Sequence, residues 1–254
     1  MRILAINASY RGDKGHTRFL IDKLFKGAAE QGAECEVVTL SKKNMNICKA
    51  CGVCQTINHY LKCVFDGEDD VKSIFDKMAS ADIIVFATPV YLFGISGLMK
   101  IFLDRIYATS DVNDLRISKS GLLFHHINPA VCSKPFVTLV CCDNLEDETP
   151  KNVQSYFKTY SKFMDAPQVG VLIRNAGILT GQGKDPEKEK KFPKIYNVYD
   201  AYEQAGQELV EYGKITRKTE NQANQEIIPV PLFKYIKKIK PLKRKFIDKA
   251  HEMR

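Results

Sequence analysis

Four cysteines stand close together in the middle of the first half of the chain. Cys48, Cys51, Cys54 and Cys63 fall in the pattern C-x2-C-x2-C-x8-C. Three thiolates at close, regular spacing with a fourth nearby suit a [4Fe–4S] cluster held by four cysteines. Other readings remain open. A structural zinc site prefers two separated C-x2-C knuckles, which this is not. A redox-active thiol pair fits the short spacing, because C-x2-C lowers a thiol's pKa. A bare loop of free cysteines is the plainest alternative. Cys35, Cys141 and Cys142 lie in expected strands, where cysteine is more often a small core residue.

A second chemical segment is Ala8-Ser9-Tyr10-Arg11-Gly12-Asp13-Lys14-Gly15-His16-Thr17. It lacks the G-x-G-x-x-G of a dinucleotide site and the G-K-[ST] ending of a Walker loop. It offers two hydroxyls, Ser9 and Thr17, the Arg11 guanidinium, and Gly15 just ahead of a helix. A phosphate monoester needs donors converging from one side. The amides of a helix N-terminus supply some, and hydroxyls and arginine supply others. The same residues also suit a plain polar turn capped by a threonine.

A third segment, Ala87-Thr88-Pro89-Val90-Tyr91-Leu92-Phe93-Gly94-Ile95-Ser96, is apolar and aromatic. Connecting loops are normally polar because water must solvate their backbone. A flat apolar ligand accounts for the composition, and so does burial by a second subunit.

These loops need elements to position them. Strands are expected at Arg2–Asn7, Glu34–Leu40, Asp82–Ala87, Pro135–Cys142 and Gln168–Ile173, each a short apolar run. Helices are expected at Thr17–Gln31, Asp69–Ala79 with an acidic first turn, Gly97–Tyr107, Thr149–Met164 with Thr149 as cap, and Tyr199–Lys218. Ala108–Lys134 reads as irregular, with His125 and His126 in a structured surface segment. Strict alternation of strands and helices implies a parallel sheet covered on both faces. Five strands favour the flavodoxin-like, doubly wound order 2-1-3-4-5. Ligands then sit outside the carboxyl ends of strands 1 and 3, where the second and third segments lie.

The pairing of N-A-S-Y-R-G-D-K-G-H-T with A-T-P-V-Y-L-F-G-I-S-G-L-M-K-I-F-L-D-R resembles the NADPH-dependent FMN reductase group of flavodoxin-like proteins, which includes the iron–sulfur flavoproteins. The resemblance covers about Met1 to Ile106. It implies that Ser9, Arg11 and Thr17 hold an FMN phosphate, with Gly15 and His16 in the same cofactor-binding set. It implies that Pro89, Val90, Tyr91, Leu92, Phe93 and Gly94 line the isoalloxazine. It further implies NAD(P)H as electron donor and a quinone, an aromatic compound or a protein as acceptor. No side chain is needed as acid or base, so no catalytic residue is named. Iron–sulfur flavoproteins carry a compact cysteine motif at the same point, usually with a shorter final gap, so Cys48, Cys51, Cys54 and Cys63 are the candidate metal ligands. A non-enzymatic electron carrier with such a cluster is the alternative function. Two departures stand out. Cys142-Asp143-Asn144-Leu145-Glu146-Asp147 replaces a glycine-rich turn, and His16 stands where asparagine is more usual.

Composition fits this reading. Apolar residues are 44% and charged residues 27%, ordinary values that leave enough for a core. The start, Met1 to Asn7, is too short an apolar run for a signal peptide. Eight cysteines without such a leader argue against a disulfide framework. A cytoplasmic protein is therefore expected. The net charge of +8 is concentrated at the end, where Phe233 to Arg254 holds nine Lys or Arg against two acidic residues. The rest is nearly neutral, which speaks against nucleic acid as partner. The expected organisation is a flavodoxin-like FMN-binding domain over 1–220 and a basic amphipathic extension over 221–254. In the extension Leu232, Phe233, Ile236, Ile239, Leu242, Phe246 and Ile247 recur every three to four residues. Such a stripe lies on a membrane surface or packs on the domain or a second subunit. The apolar loop and this stripe together point to a homodimer or homotetramer.

Overall fold

The structure is a computed structural model and describes residues 1–177, 185–228 and 232–252. In chain order it runs β1 (Arg2–Asn7), α1 (His16–Glu30), β2 (Glu34–Thr39), α2 (Val71–Ser80), β3 (Ile83–Pro89) and α3 (Gly97–Asp104). There follow β4 (Ser110–Ile117), β5 (Leu123–Ile127), the short α4 (Pro129–Cys132), β6 (Phe136–Cys141), α5 (Lys151–Met164) and β7 (Gln168–Arg174). The remainder is α6 (Pro186–Lys190), α7 (Lys194–Tyr212), α8 (Arg217–Ala223), α9 (Phe233–Ile236) and α10 (Lys240–Glu252).

Five strands form one sheet in the order β2-β1-β3-β6-β7, and every neighbouring pair is parallel. β6 and β7 occupy the places expected for the fourth and fifth strands. The sheet splits the interior into two apolar layers because successive side chains of a strand point to opposite faces. Ile3, Ala5, Val85 and Leu139 pack with Leu20 and Leu24 of α1 and Tyr202 and Leu209 of α7. Leu4, Ile6, Ile84 and Phe86 pack with Ile74 of α2, Phe102 of α3 and Phe157 of α5. All seven residues of β3 are buried, which is why its sequence from Ile83 to Ala87 is an apolar run. α1 and α7 touch backbone to backbone. A Cβ on Gly206 would fall 1.9 Å from the Leu24 carbonyl oxygen, so only glycine fits there.

Three expectations need correction. Residues 108–134 are not irregular. They carry the antiparallel hairpin β4–β5, with Ile117 opposite Leu123 and a bulge between Asp111 and Leu115. β4 reads SDVNDLRI, and its interspersed polar residues hide the period of a strand. The hairpin is moored to α5, since the Arg116 guanidinium donates to the Phe163 carbonyl at 2.6 Å and the Lys119 amide to the Asp165 carboxylate at 2.7 Å. Thr149 does not cap α5, which begins at Lys151 after a turn. The last helix is two helices. α7 stops at Gly213, whose φ of +70° is the left-handed ending that glycine favours.

α8 spans residue 220 and seals the outer edge of the sheet. The Val171 amide donates to the Glu220 carboxylate at 2.7 Å and the Ile173 amide to the Asn224 side chain at 2.6 Å. An exposed strand edge is a template for unwanted pairing, and these side chains occupy it. Ile227 and Ile228 are buried beyond α8. Among the described residues no helix is long and apolar enough to cross a membrane.

Candidate functional site

The loop after β1 is built around Asn7, which is wholly buried. Its Oδ1 accepts from the Ser9 amide at 3.2 Å, and its Nδ2 donates to the Gly12 carbonyl at 3.4 Å. Ser9 Oγ accepts from the Arg11 amide at 3.3 Å. Gly12 has a φ of +55°, which turns the chain back toward α1. A Cβ on Gly15 would lie 2.6 Å from Ser9 Oγ, so glycine lets the serine hydroxyl sit against the start of the helix. α1 has no side-chain cap, and the first amides of any helix lack an intrahelical acceptor. The one acid of the loop, Asp13, is engaged elsewhere. Lys42, Thr39 and Arg18 bond to it and hold its carboxyl below the usual carboxylate range.

The loop after β3 has an unusual backbone. Tyr91 and Gly94 exchange two hydrogen bonds of 3.1–3.2 Å, closing a two-residue turn over Leu92 and Phe93. Their φ angles are +44° and +65°, a region that costs a bulky residue of order 1–3 kcal/mol. Leu92 is nonetheless 92% exposed and Phe93 57%. Strained backbone presenting large apolar side chains outward is the mark of a contact surface. Behind the turn, Thr88 Oγ1 accepts from the Ser96 amide at 3.0 Å, and Ser96 Oγ caps α3 through the Met99 amide at 3.2 Å. The two loops meet. The Tyr10 and Tyr91 rings are 5.8 Å apart, and Tyr10 crosses Gly97, where a Cβ would come within 2.9 Å of its hydroxyl.

One cavity of about 100 Å³ is lined by Ser9, Arg11, His16 and Thr17 from the first loop and Pro89, Val90 and Tyr91 from the second. Leu92, Phe93 and Gly94 form the turn beyond Tyr91. Cys141 and Asp143 complete the wall; the sequence marked Cys141 as a small core residue and Asp143 as part of the loop that replaces a glycine-rich turn, and neither as a cofactor-binding residue. Cys141 ends β6 and Asp143 lies two residues beyond it; β6 is the strand beside β3, and that adjacency was the available signal. The residues fit FMN chemically. Two hydroxyls and a guanidinium from the loop that leads into α1, and residues of an apolar turn, line the same cavity.

The four-cysteine segment forms a separate site beside β4. Cys48, Cys51, Cys54 and Cys63 line a single cavity of about 20 Å³ together with Phe65 and Arg105. The long final gap folds as a turn in which the Leu61 amide reaches back to the Cys54 carbonyl at 2.9 Å, returning Cys63 to its companions. Gln55 ties the segment to the hairpin, donating to the Ser110 carbonyl at 2.7 Å and accepting from the Val112 amide at 3.1 Å. Beneath it Arg105 and Asp69 form an ion pair of 2.5 Å that is sealed from water. Arg105 also donates to the Asn46 carbonyl at 3.1 Å, and Asp69 accepts from the amides of Asn46 and Val71. Burial raises the Asp69 pKa, but these donors outweigh it and leave the carboxyl below its ordinary range. The sequence reading placed Asp69 in the acidic first turn of a helix. Its work is to anchor the cysteine segment. Among the described residues no three His, Cys, Asp or Glu side chains converge on a single metal-ion position. Four thiols along one hollow with a guanidinium in its wall are a donor set that cluster ligation would require.

His125 and His126 lie in β5, outside both cavities. Burial, with Arg116 nearby, lowers the His125 pKa, and its ring packs on Phe124 at 3.9 Å.

A five-stranded parallel sheet of this order, with its cavity at the carboxyl ends of β1 and β3, defines a flavodoxin-like protein. Residues 1–124 match the NADPH-dependent FMN reductase family, so the resemblance read from the two motifs is borne out. An iron–sulfur flavoprotein of Methanocaldococcus jannaschii is 35% identical over 105 residues, covering 41% of this chain and 51% of that protein. One of Methanosarcina thermophila is 34% identical over 105 residues, covering 41% and 52%. The chain thus spans about half the length of the curated relatives it matches. Among solved structures, an FMN-dependent NADH-azoreductase from Bacillus anthracis in complex with FMN aligns with a TM-score of 0.57 at 14% identity, covering 83% of this chain and 100% of that one. That likeness is one of fold.

Proposed function

We propose that this chain binds FMN across the β1 and β3 loops and uses it to pass electrons from NAD(P)H to an oxidised acceptor. The observation that carries the reading is the shared cavity, in which Ser9, Arg11 and Thr17 of one loop and Pro89 to Tyr91 of an apolar turn come together. The family matched by residues 1–124 supports it. Bound FMN would supply the two-electron chemistry, accepting hydride and later giving it up. Ser9, Arg11, Thr17 and the start of α1 hold the phosphate. Gly15 keeps the Ser9 hydroxyl in place. Pro89 to Gly94 cover the ring and exclude water from one face. For a quinone acceptor the balance is a hydride from NAD(P)H and one proton from solvent, giving NAD(P)+ and the quinol. Releasing the ligand of the purified protein by heat and identifying it by chromatography tests this. FMN is expected; FAD, or no flavin after reconstitution, overturns it.

A second reading adds a [4Fe–4S] cluster on Cys48, Cys51, Cys54 and Cys63, making the chain an electron carrier between flavin and cluster. Its support is the common hollow those four residues line and the names of the relatives. Anaerobic reconstitution with iron and sulfide should give broad visible absorption that dithionite bleaches and that Cys54→Ser removes. Absorption from flavin alone would leave the segment a cluster-free thiol loop.

A further inference from the structure

The C-terminal segment divides its side chains between two faces. In the sequence Leu232, Phe233, Ile236, Ile239 and Leu242 run together as one stripe, and the structure separates them. Phe233 and Lys237 are buried, and with Ile236 and Lys243 they line a hollow against residues 143–146 of the domain. Lys237 reaches the Asp147 carboxylate at 2.8 Å and the Glu226 carboxylate at 3.1 Å, and Lys243 pairs with Glu146 at 2.6 Å. This face is covered by the chain itself.

The opposite face is apolar and open. Leu232, Tyr235, Ile239 and Leu242 are between 37% and 70% exposed. Helical winding carries on from α9 into α10. The Lys238 amide donates to the Tyr235 carbonyl, the Ile239 amide to the Ile236 carbonyl and the Leu242 amide to the Ile239 carbonyl, each at 3.0 Å. Residues three and four apart on such winding share a side, so the four form one outward stripe. Lys238 lies three residues after Tyr235 and four before Leu242, and Lys245 three after Leu242, so both border it. Lys238, Lys240, Arg244 and Lys245 are exposed, and among the described residues none of them is in an ion pair. From Leu232 to Ile247 the chain has six lysines, one arginine and no acidic residue.

Charge and apolar surface together decide the occupant. A second copy of this face would set like charge against like. Acidic protein surfaces are matched best by the planar fork of arginine, and lysine outnumbers arginine six to one here. Nucleic acid would satisfy the cations and leave the apolar stripe unused. A layer of mobile anionic headgroups over hydrocarbon satisfies both, because lysine stems lie along apolar surface while their ammonium groups reach outward. We propose that this outer face docks the protein on an anionic membrane surface, with the stripe at the boundary of headgroups and acyl chains. The bond is peripheral, and the inner face keeps its contacts with the domain. The inference does not depend on the flavin reading.

The test uses the full-length protein and vesicles of phosphatidylcholine with or without about a third phosphatidylserine. Co-sedimentation is expected with the phosphatidylserine vesicles and none with phosphatidylcholine alone. Each basic residue near an anionic surface strengthens binding about fivefold, so Lys238→Glu with Lys245→Glu should weaken it at least tenfold. Tyr235→Ser with Ile239→Ser should weaken it by a similar factor through lost apolar burial. All four side chains are exposed, so both double variants should melt like the unmodified protein. The chain has no tryptophan, so Tyr235→Trp places a single reporter in the stripe, and its emission should shift to the blue on phosphatidylserine vesicles. An unmodified protein that stays in solution, or binding that both double variants retain, overturns the proposal. Binding lost on charge reversal but kept in the serine variant, with tryptophan emission unshifted, is the behaviour of a face that reads charge alone. That result points to an acidic macromolecule and overturns the membrane as partner.

Discussion

At the scale of single residues, the two ends of the proposed flavin site separate by experiment. Arg11 and Thr17 line the cavity and are proposed to bind the phosphate, and Phe93 stands on the apolar turn. Hydrogen bonds to a charged group contribute about 1.5–3 kcal/mol. Arg11→Ala and Thr17→Val are therefore expected to weaken FMN about ten- to a hundredfold and riboflavin, which has no phosphate, far less. Phe93→Gly should weaken both flavins alike, because what it removes is a contact to the ring. Titration of each apoprotein variant with both flavins reads the difference, and equal losses for Arg11→Ala would show that this residue supports the loop and does not bind phosphate. That Ser9, Arg11, His16, Thr17, Pro89, Val90 and Tyr91 share one cavity was legible from their place after two apolar strands that the alternation sets side by side. Asp143 and Cys141 were legible only in part: their loop stood out as a departure from a glycine-rich turn, but nothing in C-C-D-N-L-E-D says which of its residues reach the cavity. The left-handed backbone at Leu92 and Phe93 was also invisible, since both residues ordinarily avoid that region.

At the scale of elements, the sheet order could be read from the alternation of apolar runs and helical periods, because a parallel strand buried on both faces has nowhere to place polar residues. The hairpin could not, because β4 is solvent-facing along much of its length and carries charges at irregular intervals. The cysteine segment was legible as a motif but not as a fold. Its order comes from Arg105 and Asp69, which are 36 residues apart in the chain. This pair sets a pH dependence whose sign is fixed by the lowered Asp69 pKa. A carboxyl whose pKa falls on folding adds stability above its unfolded value, near 3.8, and that stability is lost as the pH drops through the lower folded value. Hydrogen exchange or limited proteolysis of residues 44–70 should accelerate below about pH 4 before the sheet opens. In Asp69→Asn the segment should be loose already at neutral pH, because Arg105 is then buried without its counter-charge. A segment that stays equally protected in that variant would mean that the hairpin contacts of Gln55 suffice to hold it.

At the scale of the whole molecule, the described part of the C-terminal segment packs on its own chain through Phe233, Lys237 and Lys243, and the side chains of Phe246 and Ile247 lie outside the described residues. Deleting Ile228 to Arg254 should lower the melting temperature by several degrees, since it uncovers the surface against which Ile228 and Phe233 are buried and removes the ion pairs of Lys237 and Lys243. A truncated protein that melts unchanged and has lost binding to anionic vesicles would make the segment a membrane-surface element only. Other apolar surface has no such cover within the chain. Leu115, Ile117 and Leu123 on the β4–β5 hairpin are each about two-thirds exposed, and beside them a groove of about 470 Å³ runs between Phe124 and the Tyr156 and Phe163 side of α5. Leu92 and Phe93 extend the exposed apolar surface at the flavin turn. Patches of this kind on soluble proteins usually mark an interface, and a closed two-fold dimer is the commonest way to bury them. We therefore expect a homodimer or a dimer of dimers in which the hairpin is a principal contact. Charging its cross-strand pair, as Ile117→Lys with Leu123→Lys, should halve the mass seen by sedimentation while the pair's exposure keeps each fold intact. If the flavin turn shares that interface, the monomer should also bind FMN more weakly. Sedimentation of the unmodified protein as a monomer at all concentrations would leave the hairpin without a partner of its own kind and refute the assembly.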